Sequence, residues 1–320
     1  MTALPTQDDV RAAAARLAGR VIHTPMLRHA LLDEITGGQV FVKPEPLQRT
    51  GSFKFRGATN AVLQLDFSTR AQGVVTHSSG NHGQGLACAA AAAGIPALIA
   101  MPADAPAIKV EATRRWGAEI LPFDRATTDR EVLAARLATE RGMTQIPPFD
   151  HAHVIAGQGT LALELLADAG GALDAMVVCT GGGGLIAGCA LALDGTGCDI
   201  WAAEPEGWDD YGVSLRAGQR IGNDGRGSLL CDALLSRKPG EITFAINAHR
   251  LAGGVAVTEA EVFAAMRFAF QHLKVVVEPG GAVALAAVLA GHVPTRGRRV
   301  GLVLSGGNVD PAVFAAALAA

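Results

Sequence analysis

Cysteine is scarce here, and its spacing excludes two common uses. Cys88, Cys179, Cys189, Cys198 and Cys231 are the only five in 320 residues, and no two form a C-x-x-C pair. An odd number without that spacing argues against a disulfide framework and against a zinc site. It predicts reduced thiols and a cytoplasmic setting. An excess of either charge is also lacking. With 27 Lys+Arg against 30 Asp+Glu, the net charge of −3 supplies no field to draw nucleic acid or an anionic membrane. The clustered Arg296, Arg298 and Arg299 read as a solvated loop. Long apolar runs are missing too. "LACAAAAAGIPALIAMP" is broken by Gly94 and Pro96, so no transmembrane helix is expected. The first residues, "MTALPTQDDVRAAAARLAGR", have early acids and no apolar segment of a secretory signal. They read as a helix with Thr6 as N-cap and Asp8 and Asp9 in its first turn. No fixed-period repeat and no low-complexity linker divides the chain.

What is present is apolar residue, 49% of the chain, in one recurring pattern. A short β-branched run leads into a glycine-rich turn and then an alanine- and leucine-rich helix. "GVVTHSSGNHGQGLACAAAAAG" does so before the strand "IPALIAMP". "AMVVCTGGGGLIAGCALAL" does so before "CDIWAAEPE". "RVGLVLSGGNVD" is a further strand ending in a glycine turn. Apolar strands alternating with helices predict an α/β fold with parallel sheets covered on both faces. Ligands of such folds bind beyond the carboxyl ends of the strands. Three turns lie there: Ser78–Gly83, Gly181–Gly184 and Ser305–Asn308.

One lysine stands apart. In "GSFKFRGA", Lys54 lies between Phe53 and Phe55. An amine held in an apolar pocket loses hydration, its charged form is disfavoured, and it becomes a nucleophile suited to a Schiff base. A solvated lysine whose phenylalanines point into a core would leave the same letters. Gly181, Gly182, Gly183 and Gly184 follow the strand "MVVCT" and open a helix. Glycines there let several N–H groups approach one anion, and a phosphate is the natural guest. The loop is not a Walker A loop, since no Gly-Lys-Ser/Thr follows. Gly182, Gly184 and Ala187 also fit G-x-G-x-x-A, with Glu204 about 20 residues on, which is the fingerprint of a dinucleotide-binding oxidoreductase. A plain tight turn is the third alternative. Ser78, Ser79, Asn81 and His82 put hydroxyl, amide and imidazole groups at a helix start. That exceeds what a cap requires and suits a carboxylate. Asn81 can also bond a phenolic oxygen, and Ser305 a ring nitrogen.

A desolvated lysine, a phosphate cup, an asparagine for a phenolate and a hydroxyl for a ring nitrogen are the fittings of pyridoxal 5′-phosphate. With "GSFKFRGATNAV", "THSSGNHGQGLA", "MPADAPAIKVEATRRWGAEI", "VIAGQGTLALELL", "GGGGLIAG", "AAEPEGWDD", "EPGGAVALAAVL" and "VLSGGNVD" in order, the chain resembles the threonine dehydratase/serine racemase group of the tryptophan-synthase-β-like, fold type II, pyridoxal-phosphate enzymes. The resemblance implies that Lys54 is the Schiff-base lysine, beside Phe53. Gly181 to Gly184 would form the phosphate cup, with Asn81 at the phenolic oxygen and Ser305 at the ring nitrogen. Ser78, Ser79, Gly80 and His82 would lie in the loop for the substrate carboxylate. In racemase-like members a serine at Ser79 faces Cα opposite the lysine, so racemisation is permitted beside dehydration.

"EPEGWDD" resembles the family's divalent-cation loop, implying Glu204, Asp210 and the Trp208 carbonyl around Mg²⁺ or Ca²⁺. The implied architecture is a large domain, 1–72 and 150–320, and a small one, 73–149, that closes over the substrate. The implied activity is dehydration and deamination of a β-hydroxy amino acid by a cytoplasmic, homodimeric enzyme. L-threonine and L-serine are the expected substrates, because only Arg130 offers a second carboxylate a home. Serine racemisation, aspartate-type racemisation and 3-hydroxyaspartate dehydration are the alternatives. No C-terminal regulatory domain is expected after "SGGNVD".

Overall fold

Nine strands alternate with helices along the described residues and join into two sheets. β1 is Gln39–Pro44, β2 Val74–His77, β3 Ala97–Pro102, β4 Glu119–Phe123 and β5 Thr144–Gln145. β6 is Ala175–Cys179, β7 Asp199–Pro205, β8 Leu251–Val257 and β9 Arg299–Leu304. The computed structural model describes residues 4–78, 80–105, 107–124 and 126–320. The five-stranded sheet has the order β1-β9-β6-β7-β8 and the four-stranded sheet β4-β3-β2-β5. Every strand pair within them is parallel, as the apolar strand pattern predicts. The chain builds β1, leaves to make the whole four-stranded sheet, and returns for β6 to β9.

Burial explains the continuous apolar runs. In β9, Val300, Leu302 and Leu304 pack into one core, while Val303 packs into another on the opposite face. In β6, Val177 and Cys179 share the first core, and Met176 and Val178 the second. A strand covered on both faces has no polar side to alternate with. The four-stranded sheet repeats the arrangement, with Val74 and Ile99 on one face and Val75 and Leu98 on the other. The N-terminal helix Gln7–Leu17 starts as expected. Thr6 caps it in a reciprocal capping box with Asp9.

Three helices are drawn unusually close where glycine replaces a side chain. A Cβ on Gly157, in the helix Ala152–Asp168, would lie 2.7 Å from the Cα of Gly57 in the helix Lys54–Leu63. A Cβ on Gly159 would strike the Gly188 carbonyl of the helix Gly184–Ala192. These contacts fix the helix that begins at Lys54 against the helix that begins at the glycine loop.

Candidate active site

The three glycine turns follow the carboxyl ends of β2, β6 and β9. Ser52 forms an isolated bridge with Gly306, and the Phe53 N–H donates to the Ser305 carbonyl at 3.0 Å. Lys54 is therefore tied to the turn after the last strand. Behind it, Arg56 is fully buried between two carboxylates. It donates to both oxygens of Glu45 at 2.8 and 2.9 Å and to both of Glu164 at 2.6 and 2.8 Å. Lys43 pairs with Glu164 at 2.7 Å. Burial works against the Arg56 charge, but the two carboxylates outweigh it and raise its pKa.

Of the two phenylalanines flanking the lysine, one faces it. The Lys54 amine lies 5.1 Å from the Phe53 ring centroid, whereas Phe55 is buried in the core beside the four-stranded sheet. The amine donates to the Pro148 carbonyl at 2.7 Å. Burial pushes its pKa down to about 8, against the opposing pull of the Glu278 carboxylate. A primary amine at that pKa is partly neutral near physiological pH, as a nucleophile or proton acceptor must be.

The glycine loop is closely walled. Gly183 has φ +92° at the N-cap of the helix Gly184–Ala192, and a Cβ there would strike the Tyr211 hydroxyl. A Cβ on Gly182 would lie 2.5 Å from the Phe149 ring. The Gly182 carbonyl is held by Thr243 Oγ1 at 2.7 Å and the Gly240 N–H at 3.2 Å. The N–H groups of Gly181, Gly182 and Gly183 donate to no acceptor among the described residues. Unpaired amides at a helix start, with no side chain over them, fit a phosphate.

Asn81 opens the helix Asn81–Ala93 and stands at the centre of a polar chain. Its Nδ2 donates to Glu278 Oε1 at 2.6 Å, and its Oδ1 accepts from Asn308 Nδ2 at 2.7 Å. Glu278 is buried, and burial pushes its carboxyl up to about 7, with Asp232 adding to the rise. Sequence reasoning missed Glu278, because a glutamate before Pro279-Gly280 reads as a helix start. The Ser78 hydroxyl accepts from the Gly80 N–H at 3.2 Å. Ser305 is buried, against the Cys179 thiol. That thiol is pushed up to about 11 by burial and sits in the core, as expected of an apolar filler. His82 turns away from the turn. Its ring is buried, Nε2 meets the Ile146 carbonyl at 3.0 Å, and burial lowers its pKa to about 3. Its Nδ1 is buried without a partner, and the Lys54 charge adds to the lowering of its pKa. Ser79 lies outside the described residues.

The acidic loop after β7 brings two of its carboxylates inside. Glu204 is buried and accepts from the Tyr211 and Gly212 N–H groups, both at 2.8 Å. Its oxygens cap a helix, which leaves it unsuited to bind a ribose. Asp210 accepts from Asn223 Nδ2 at 2.6 Å, and its Oδ2 is buried without a partner. Burial pushes Asp210 up to about 6 and raises Glu204 as well. Trp208 packs its ring inward, with Nε1 donating to Ser228 O at 2.8 Å. Among the described residues, no group of three or more His, Cys, Asp or Glu side chains converges as metal ligands. The orphaned Asp210 oxygen beside a second buried carboxylate nevertheless fits a hard cation completed by carbonyls or water.

Fold and site together define an α/β protein with a lysine of lowered pKa and a glycine loop at the carboxyl ends of parallel strands. The chain belongs to the pyridoxal-phosphate dependent enzyme family, whose model matches residues 17–306. It is 45% identical to an L-threo-3-hydroxyaspartate ammonia-lyase of Pseudomonas sp. over 317 residues, 98% of this chain and 99% of that one. It is 41% identical to the serine racemase of Schizosaccharomyces pombe over 309 residues, 96% of this chain and 95% of that one. Among solved structures, maize serine racemase superposes with a TM-score of 0.92 at 36% identity, covering 99% of this chain and 98% of that one. Family membership makes pyridoxal phosphate, and not a dinucleotide, the cofactor.

Proposed function

We propose that the protein is an ammonia-lyase that converts a β-hydroxy amino acid to a 2-oxo acid and ammonia, with 3-hydroxyaspartate ahead of L-threonine and L-serine. The observation that carries the lyase reading is the Lys54 amine, lowered to about 8 and aimed from the head of its helix. The preference for 3-hydroxyaspartate departs from the sequence-based expectation. It rests on the 45% identity with a lyase named for that substrate.

In this reading Gly181, Gly182, Gly183 and Gly184 hold the cofactor phosphate through their N–H groups. Asn81 donates its second Nδ2 proton to the phenolic oxygen. Phe53 would lie beside the ring, and the Ser305 hydroxyl would hold the ring nitrogen without placing a positive charge on it. Pyridoxal phosphate, when bound, supplies an electron sink for the pair left at Cα. Lys54 Nζ removes the proton from Cα. The hydroxyl leaves Cβ as water with the proton that Lys54 took from Cα, and hydrolysis of the eliminated product gives the 2-oxo acid and ammonia. Ser78, Ser79, Gly80 and His82 hold the α-carboxylate. Glu204, Asp210 and the Trp208 carbonyl take Mg²⁺ or Ca²⁺. The strands β2 to β5 all fall between residues 74 and 145, which supports a small domain at 73–149 closing on a large one formed by 1–72 and 150–320.

Purified protein is expected to be yellow, and borohydride is expected to fix the cofactor on Lys54. Lys54→Ala should lower 2-oxo acid release by at least about a thousandfold, the scale of losing a base that is also the cofactor's anchor. A colourless protein that gains no activity from added cofactor would sink the proposal. Racemisation is the second reading, favoured by the 41% identity with a serine racemase. It requires Ser79 to act opposite Lys54. Ser79→Ala should then abolish D-serine formation and turnover of D-isomers while elimination from L-isomers persists. Loss of L-turnover as complete as in Lys54→Ala, with cofactor still bound, would refute the two-face assignment.

A further inference from the structure

A second lysine stands at the same turn, and its present partner is informative. Lys109 lies in the helix Ala107–Arg114, which follows β3 of the four-stranded sheet. Its ammonium pairs with the carboxylate of Asp232, 123 residues away. Asp232 opens the short turn Asp232–Leu234 between β7 and β8 of the five-stranded sheet. The pair therefore spans the two sheets. It does so beside the substrate turn, since a Cβ on Gly80 would lie 3.7 Å from Lys109 Nζ. The next residue, Asn81, holds Glu278, and that buried carboxyl feels both charges, raised by Asp232 and lowered by Lys109.

The partners differ in exposure. The Lys109 side chain is 14% exposed and that of Asp232 42%. A nearly buried ammonium needs a carboxylate opposite it, whereas a half-exposed carboxylate can return to water at little cost. We propose that Lys109 receives the second carboxylate of a dicarboxylic substrate, and that Asp232 occupies this position until such a substrate displaces it. An α-carboxylate on the Ser78–Asn81 turn leaves the β-carboxylate of 3-hydroxyaspartate a short carbon chain away, on the Lys109 side. L-serine and L-threonine carry nothing to exchange for Asp232 and leave the pair intact. The sequence-based candidate, Arg130, is a weaker receptor. It is exposed at the start of the helix Arg130–Arg141, where water already solvates its charge and a new ion pair gains little.

This inference names the substrate class of the lyase proposed above and rests on that reading. The experiment has two readouts. The first is kcat/KM of the holoenzyme for L-threo-3-hydroxyaspartate relative to L-serine. Lys109→Gln should lower that ratio at least thirtyfold, Lys109→Arg should restore part of it, and Asp232→Asn should raise it severalfold. The second is thermal stabilisation of the holoenzyme by succinate against propionate. The dicarboxylate should stabilise the wild type more, and the difference should vanish in Lys109→Gln and grow in Asp232→Asn. Equal loss on both substrates with the succinate effect unchanged would make Lys109 a structural residue and overturn the inference. A ratio that collapses in Arg130→Gln instead would overturn it too. If no β-hydroxy amino acid is turned over at all, the lyase reading fails, while the succinate series still decides the role of Lys109.

Discussion

The surroundings of Lys54 come largely from residues that no local pattern announces. The phenylalanine beside it was legible, but the carbonyl of Pro148 and the carboxyl of Glu278 come from distant segments. Glu278 illustrates the limit, since a glutamate's letter is the same whether it caps a helix in solvent or is sealed beneath Asn81. Its folded pKa of about 7 lies above the ordinary 4.5. Between those values the folded chain holds a proton that the unfolded chain has released, so stability falls as pH rises through the window. Glu278→Gln should flatten that fall by up to about 3 kcal/mol. Urea denaturation at pH 5, 6 and 7 measures it, and parallel slopes for wild type and variant would contradict the assignment. Arg56 makes the complementary case. Arg56→Met leaves the buried Glu45 without its cation and Glu164 with Lys43 alone, and should cost about 3–5 kcal/mol in the same assay. Its neighbour Lys54 was singled out by sequence and Arg56 was not, because a buried arginine is recognised only by its two carboxylates.

Strands with unbroken apolar runs and glycine turns could be read directly: β2, β3, β6, β7 and β9 lie where the pattern put them. The others lacked that signal. β5 has two residues, β4 contains Pro122, and β8 carries Gly253 and Gly254 in its middle. Their strand character comes from parallel neighbours that supply the hydrogen bonds. The glycine loop carried a signal because the requirement is steric. Gly183→Ala meets both a positive φ and the Tyr211 hydroxyl. It is expected to cost about 1–3 kcal/mol of stability and to weaken cofactor binding at least tenfold. Gly195→Ala, also at positive φ but with nothing within 4 Å of its Cβ, should lose stability alone. Melting curves and cofactor titration of the two variants compare strain with site geometry. Equal cofactor affinity in both would show that the walls of the loop are yielding.

At the scale of the molecule, a cation held by the acidic loop as proposed would add to stability. Glu204 and Asp210 are both raised by burial, so each tends to hold a proton at mildly acidic pH. A cation requires them ionised. Stabilisation by Mg²⁺ or Ca²⁺ should therefore be small at pH 5 and grow toward pH 8, reaching about 2.7 kcal/mol at a hundredfold excess over Kd. Asp210→Asn should abolish the increment. A cation effect that is the same at both pH values would place the ion elsewhere.

β9 is the last strand of the chain, yet it lies inside the five-stranded sheet, between β1 and β6. During synthesis the four-stranded sheet is complete once β5 has left the ribosome. The larger sheet must keep a gap between two finished strands until residues 299–304 arrive. The turn that holds Ser305, and that anchors Phe53 and Lys54, emerges just after them. Residues 299–309 thus join the two halves of the larger sheet and also fix the start of the helix that carries Lys54, so a change in β9 would be felt at the lysine.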